Sequence, residues 1–250
     1  DRIAIGLIGS GYRARDLTKE SPADLRLVAV ADCDRRQISE YLAAVGKFDS
    51  PIVDAKCAQY QDYRQMLAQE KLDGVFIATT THARVAACIH AMQAGLDVYA
   101  EKPLTLTVEE GQYLVRAEKK YGTVFQTGTQ QRSSAINNFG SDLVRGGAIG
   151  KVRTVRCPTF PSPRPRPPLP AEPTPPEMNW DLWCNQTELA PYSSTLHPGL
   201  GRWARYREYC GWLVTGWVHA FDQIQRALGT DDTGPVEIWP EESGPDAHVS

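Results

Sequence analysis

The chain has 250 residues, with 27 Lys and Arg set against 30 Asp and Glu, for a formal charge of −3 with His neutral. That length allows one large domain or two modest ones around a real core. The acidic balance argues against a polyanion binder, so no nucleic acid is expected as partner. No apolar run approaches the roughly 20 residues needed to cross a bilayer, so no membrane partner is expected either.

Ile3 to Gly9 is an apolar run of strand length that ends in Gly-Ser-Gly. Arg26 to Ala31 is a second such run, ending at Asp32. From Asp34 to Val45 the apolar residues Ile38, Tyr41, Leu42 and Val45 fall on one helical face. Tyr60 to Glu70 reads as a helix, and Gly74 precedes a strand over Val75–Ala78. Ala83 to Ala94 is an alanine-rich helix closed by Gly95, as a C-cap requires. A strand over 97–100, a helix over about 108–120 and a strand over 123–126 follow. Continuous apolar strands alternating with amphipathic helices predict a parallel sheet covered on both faces, the doubly wound α/β class.

Such sheets bind ligands beyond the carboxyl ends of their strands. Gly9-Ser10-Gly11-Tyr12-Arg13-Ala14 is a G-x-G-x-x-A pattern that follows a strand and opens a helix. Asp32 stands 21 residues after Gly11, at the end of the second strand, the place of a carboxylate that reaches an adenosine ribose. Gly9 permits the turn, Gly11 lets backbone approach a pyrophosphate, and the helix N-terminus supplies unpaired N–H groups. Asp32 favours NAD, while the nearby Arg35 and Arg36 leave NADP possible. Arg13 either flanks the pyrophosphate or is a solvated helix residue.

A strand leaves its sheet through Glu101-Lys102-Pro103, and proline biases the residue before it towards an extended conformation. With Gly6–Gly11, Ala31-Asp32-Cys33-Asp34, Ala78-Thr79-Thr80-Thr81-His82 and Gly128-Thr129-Gln130-Gln131-Arg132, this constellation resembles the Gfo/Idh/MocA family over about 130 residues. A second block, Trp180–Trp183 followed by His219–Asp222, resembles a branch common among planctomycete-like bacteria, several members of which carry export leaders. The resemblance implies that Lys102 lies beside the nicotinamide and handles the proton of the substrate hydroxyl. It implies that Thr79, Thr80, His82, Glu101 and Gln130 line the cofactor, with a cis peptide before Pro103. It also implies a homo-oligomer, a dimer or tetramer, and leaves localisation open between cytoplasm and export after loss of a leader.

The second half reads less regularly. Lys151 to Cys157 alternates like a half-exposed strand, and residues 158–176 hold ten of the eighteen prolines. A polyproline II arm is expected there, as an exposed linker or a strap over a neighbouring subunit. Residues 180–219 concentrate five of the six tryptophans, with Tyr192, Arg205 and Tyr206 among them. Aromatic faces with fixed polar donors suit a sugar or polyol, although tryptophans also simply pack small domains. His219 and Asp222 share a helix face over 219–228. The resemblance makes His219 a general base or acid, with Arg132 and Asp222 at the substrate. The classic dehydrogenases of the family carry Asp four residues before this histidine, where this chain has Thr215, and Trp217 takes a usual glycine position. Only 21 residues follow Gly229, with a strand candidate at Val236–Trp239. The domains expected are therefore a Rossmann domain over 1–127 and a shortened α+β domain over 128–250.

The six cysteines are scattered without C-x-x-C or a His/Cys cluster, so free thiols and no metal are expected. The reading this supports is NAD(P)-dependent hydride transfer on a sugar, sugar derivative or cyclitol. A glycoside hydrolase or lyase using transient sugar oxidation is the alternative, and a non-catalytic dinucleotide binder the second.

Overall fold

The computed structural model describes residues 2–48, 50–157, 164–210 and 212–237. Its centre is a six-stranded sheet built of β1 (Ile3–Ile8), β2 (Leu25–Ala31), β3 (Val53–Tyr60), β4 (Gly74–Ile77), β5 (Asp97–Glu101) and β6 (Phe125–Gly128). The spatial order is β3-β2-β1-β4-β5-β6, and every pairing is parallel. This is the doubly wound order, with the topological switch point between β1 and β4.

Helices cover both faces. On one, Ala14 of α1 (Tyr12–Glu20) and Ile38, Tyr41 and Val45 of α2 (Arg35–Val45) pack on Ile5, Leu7, Leu27 and Val30. On the other, α3 (Tyr63–Gln69), α4 (Thr81–Gln93) and α5 (Val108–Tyr121) enclose Ile8, Ala31, Val75, Ile77, Val98 and Ala100. Alternation breaks once: Val28 and Ala29 both face the second layer, where the β2–β3 register shifts. α5 is the best-defined helix end, with a Thr107–Glu110 capping box and Gly122 left-handed at φ 68°.

Two compact units emerge, one comprising residues 1–128 with 166–203 and the other residues 129–165 with 204–250. The stretch read as one continuous second domain is thus divided, because 166–203 packs with the sheet unit. It includes α7 (Trp180–Cys184) and α8 (Leu200–Trp203). From Arg166 the proline-rich arm runs along its own chain: Glu172 N donates to Tyr192 O at 2.9 Å, and Glu172 Oε1 accepts from Ser194 N and Oγ. Residues 158–163 of that arm lie outside the described set.

In the second unit α6 (Ala135–Arg145) packs against α9 (Trp212–Leu228), which begins seven residues earlier than the sequence pattern suggested. Residues 151–157 form no strand, a correction to their alternating pattern. They are mostly exposed, and period-2 patterning makes a strand only where a neighbour supplies a ladder. β3 is the converse case: its burial is partial along its whole length, as befits a sheet edge, so it carries no apolar run to read. The strand candidate at Val236–Trp239 falls partly outside the described residues, and 236–237 form no strand. All six cysteines are free; Cys88, Cys184 and Cys210 are buried, while Cys33, Cys57 and Cys157 are half-buried.

Candidate functional site

The first strand delivers its chain to a cradle of backbone. Gly9 sits at φ +87°, and a Cβ there would stand 2.8 Å from Ala78 C and Thr79 N, so only glycine allows this approach of β1 to β4. Gly11 is the N-cap of α1 and provides no side-chain cap, and a Cβ built on it meets nothing within 4 Å. Ala14 N donates back to Gly11 O at 3.2 Å, and no side chain caps the N–H groups of Tyr12 and Arg13 ahead of it, the arrangement that receives a phosphate. Tyr12, 73% exposed, flanks that opening.

Asp32 closes the far side of the turn. Its Oδ2 accepts from Ser10 N at 2.8 Å and Ser10 Oγ at 3.0 Å, and its Oδ1 accepts from Asp34 N at 2.9 Å. Burial raises its pKa, against the lowering effect of the Asp34 and Ser10 donors. Cys33 Sγ donates to Oδ1 as well, at 3.7 Å, so of the about four acceptor positions of this carboxylate one is held only by a weak thiol bond that a ribose hydroxyl can replace. At the next strand end Thr79 Oγ1 is buried without a partner. An orphaned buried hydroxyl costs stability that a bound polar ligand restores. The uncapped N-terminus, the weakly held Asp32 acceptor and this hydroxyl fit a dinucleotide. Thr80, the N-cap of α4, has no side-chain cap bond and stands beside them.

β5 ends at Glu101, and the Lys102–Pro103 peptide that follows is cis, as the resemblance implied. Four hydrogen bonds, buried or part-buried, fix this turn. Arg13 Nε donates to Glu101 Oε1 at 2.7 Å, and Glu101 Oε2 accepts from Lys102 N at 3.2 Å. Arg84, 3% exposed, donates to the carbonyls of both Thr79 and Pro103. Arg13 is thus the counter-charge of Glu101 rather than a fully solvated helix residue. Sequence reasoning passed over Arg84. The only signal was a lone guanidinium in an otherwise small and apolar stretch, Ala83–Ala87.

Two residues assigned to ligand binding are corrected by their surroundings. His82 was expected along the cofactor. It is 1% exposed, its Nε2 is 2.8 Å from Trp183 O, and its ring meets Trp183 and Trp203 edge-on, so it is a packing residue of this unit. Tyr192 was expected at the substrate. It is 6% exposed and lies edge-on to Trp180. Trp180 and Trp183 stack with centroids 4.4 Å apart, which places these two tryptophans in core rather than in a sugar platform.

The second unit holds the remaining candidates. Gln130 lies in a short 3-10 turn, and its Oε1 is buried without a partner. Arg132 grips Asp222 through Nε at 2.8 and 2.9 Å and reaches Asp231 through Nη2 at 2.7 Å. Asp222 is thus held in an ion pair, one helical turn from His219 on α9. Arg205 O accepts from Arg164 N and Tyr206 bridges Arg164, so both border the return of the proline-rich arm. The side chain of Thr215 lies outside the described set. Among the described residues no group of three or more His, Cys, Asp or Glu side chains could hold a metal, and no helix is long and apolar enough to cross a membrane.

The chain is 29% identical over 161 residues to an uncharacterized oxidoreductase of Rhizobium meliloti, covering 62% of this chain and 45% of that protein. It is 25% identical over 153 residues to the 2,7-anhydro-N-acetylneuraminate hydratase of Mediterraneibacter gnavus, covering 60% of this chain and 37% of that protein. Among solved structures it resembles the myo-inositol 2-dehydrogenase of Lactobacillus plantarum, with a TM-score of 0.53 and 26% identity over 61% of this chain and 43% of that one. It spans less than half the length of each. Residues 3–129, which carry the glycine cradle, Asp32, Thr79 and the Glu101-Lys102-Pro103 turn, match the Gfo/Idh/MocA oxidoreductase family with its NAD-binding Rossmann fold, and the chain belongs to that family.

Proposed function

We propose that the chain binds NAD across the carboxyl ends of β1, β2 and β4 and serves hydride transfer on a sugar, sugar derivative or cyclitol, with Lys102 handling the hydroxyl proton. The observation that carries this reading is the fixed turn at Glu101-Lys102-Pro103, on the same sheet edge as the uncapped N-terminus of α1 and held there by Arg13 and Arg84. NAD, when bound, supplies the hydride acceptor or donor. The α1 N-terminus orients the pyrophosphate and Asp32 takes a ribose hydroxyl. Lys102 hydrogen-bonds the reacting hydroxyl and accepts its proton, or returns it in the reverse direction. His219 is the second proton-handling residue of the reading, with Asp222 and Arg132 setting its helix face. A homo-oligomer, dimer or tetramer, belongs to the same reading.

The experiment is direct. Purified protein is denatured to identify any retained nicotinamide cofactor, then assayed with cyclitols and free sugars for reduced nicotinamide. Turnover that falls by about 10²-fold or more in Lys102→Ala, with NAD affinity held within about threefold, supports the reading. Equal turnover in Lys102→Ala refutes it. The similarity to a hydratase supports a second reading, a closed cycle in which the sugar is oxidised and reduced again. Its signature is retained cofactor and product formation without net reduced nicotinamide.

A further inference from the structure

The turn after β2 has a second carboxylate whose partners are unlike those of Asp32. Asp34 is fully buried, and four donors converge on it. Its Oδ1 accepts from Arg36 N at 3.0 Å and Arg36 Nε at 2.9 Å, and its Oδ2 accepts from Arg36 Nη2 at 2.7 Å and His197 Nε2 at 3.0 Å. Arg36 is thereby held in a two-pronged ion pair. The segment around Met178 lies antiparallel to this turn: Arg35 N donates to Glu177 O at 3.1 Å, and Asn179 N donates to Cys33 O at 2.8 Å.

These bonds decide what the ribose end of the cradle can recognise. A 2′-phosphate needs a guanidinium or free backbone N–H groups near the end of β2. The N–H groups of Asp34, Arg35 and Arg36 are all committed, to Asp32, Glu177 and Asp34 respectively. The Arg36 guanidinium is turned to Asp34 through Nε and Nη2. Apart from the exposed Arg35 side chain, what the turn offers is the carboxylate of Asp32, which accepts a hydroxyl and repels a phosphate.

We propose that Asp34 sets the choice between NAD and NADP, by holding Arg36 out of reach of a 2′-phosphate beneath the strap formed by Glu177–Asn179. This rests on the dinucleotide reading above, and it makes Asp34 a positioning residue that acts through Arg36.

Binding of NAD and NADP, measured by calorimetry on the whole chain, tests the assignment without any substrate. Wild type binds NAD at least about a hundredfold more tightly than NADP. Asp34→Asn keeps an acceptor for the Arg36 N–H and for His197 but loses the charge that holds the guanidinium. It lowers the NADP Kd by about tenfold, the size of one charge-assisted hydrogen bond, and leaves the NAD Kd within about threefold. Adding Arg36→Met to Asp34→Asn removes the gain, while Arg36→Met alone leaves the wild-type ratio unchanged. Should Asp34→Asn disturb folding, Asp34→Ser, which also caps a helix, carries the same expectation. A folded Asp34→Asn with an unchanged ratio overturns the proposal, as does a double variant that keeps the gain. Equal wild-type affinities overturn it too, yet leave the dinucleotide reading standing. Failure to bind either dinucleotide sinks that reading, and this assignment with it.

Discussion

Arg13 and Glu101, 88 residues apart in the chain, meet as an ion pair at 2.7 Å that joins the first turn of α1 to the end of β5. The Glu101 side chain is 3% exposed and that of Arg13 22%. Burial lowers the guanidinium pKa, but the Glu101 hydrogen bond and charge outweigh it, and the net shift is upward. Arg13→Ala leaves a buried carboxylate uncompensated. We expect a loss of about 2 kcal/mol, reduced from the usual penalty because Arg13 is partly solvated. Arg13→Ala/Glu101→Gln should recover much of it. Chemical denaturation of the four proteins of this cycle checks the coupling, and additive losses would show that the pair contributes nothing.

Gly9→Ala is the sharpest test of the cradle. The added methyl meets backbone at 2.8 Å rather than a side chain that can move aside, and φ +87° already strains an L-residue. The cost is about 3 kcal/mol or more in stability, with NAD binding lost in whatever folds. Gly11→Ala is the matched control. Its methyl enters open space, so stability should hold within about 0.5 kcal/mol while NAD affinity falls because the methyl occupies the pyrophosphate approach. Equal affinities for Gly11→Ala and wild type would place the pyrophosphate elsewhere.

Why the first half could be read and the second could not follows from the physics of each signal. β1, β2, β4 and β5 are buried on both faces and show as apolar runs, and each glycine turn has a local cause. The ion pairs have none. Nothing near Arg13 in sequence announces Glu101, and nothing near Asp34 announces His197, 163 residues on. His82, Tyr192 and Trp183 illustrate the same limit from the other side. Their residue types suit a ligand as well as a core, and only tertiary contact decides between the two. The alternation of Lys151–Cys157 misled because patterning states which face would be buried, not whether a neighbouring strand exists.

NAD binding should depend on pH through Asp32. Burial raises the pKa of this carboxyl above its ordinary value, and a ribose hydroxyl bonds best to the ionised form. Affinity therefore declines as pH falls through the raised value, with a proton released on binding in that range. Asp32→Asn should bind more weakly and without this slope. Calorimetry in buffers of different ionisation enthalpy reads the proton directly. A wild-type affinity flat down to the ordinary carboxylate range of about 4 would remove Asp32 from the ribose.

Asp34 makes the opposite prediction for stability. Burial pushes its pKa up, but the bonds from His197 and Arg36 win and hold it well below the usual carboxylate range. His197 Nε2 must be the donor in its bond, since an ionised carboxylate only accepts. A folded-state pKa below the unfolded one contributes stability that is fully present above the unfolded value, about 4, and is lost as pH falls through the folded value. Each unit of separation is worth about 1.4 kcal/mol. Denaturant midpoints of wild type and Asp34→Asn should therefore differ most at neutral pH and converge as the solution is acidified. His197→Gln, which removes one of the four donors but keeps an amide that can hydrogen-bond, should fall between them at neutral pH and converge in the same window. Parallel curves for wild type and Asp34→Asn across the acid range would mean that this carboxylate carries no charge-dependent stability, and that its hold on Arg36 and the strap is packing alone.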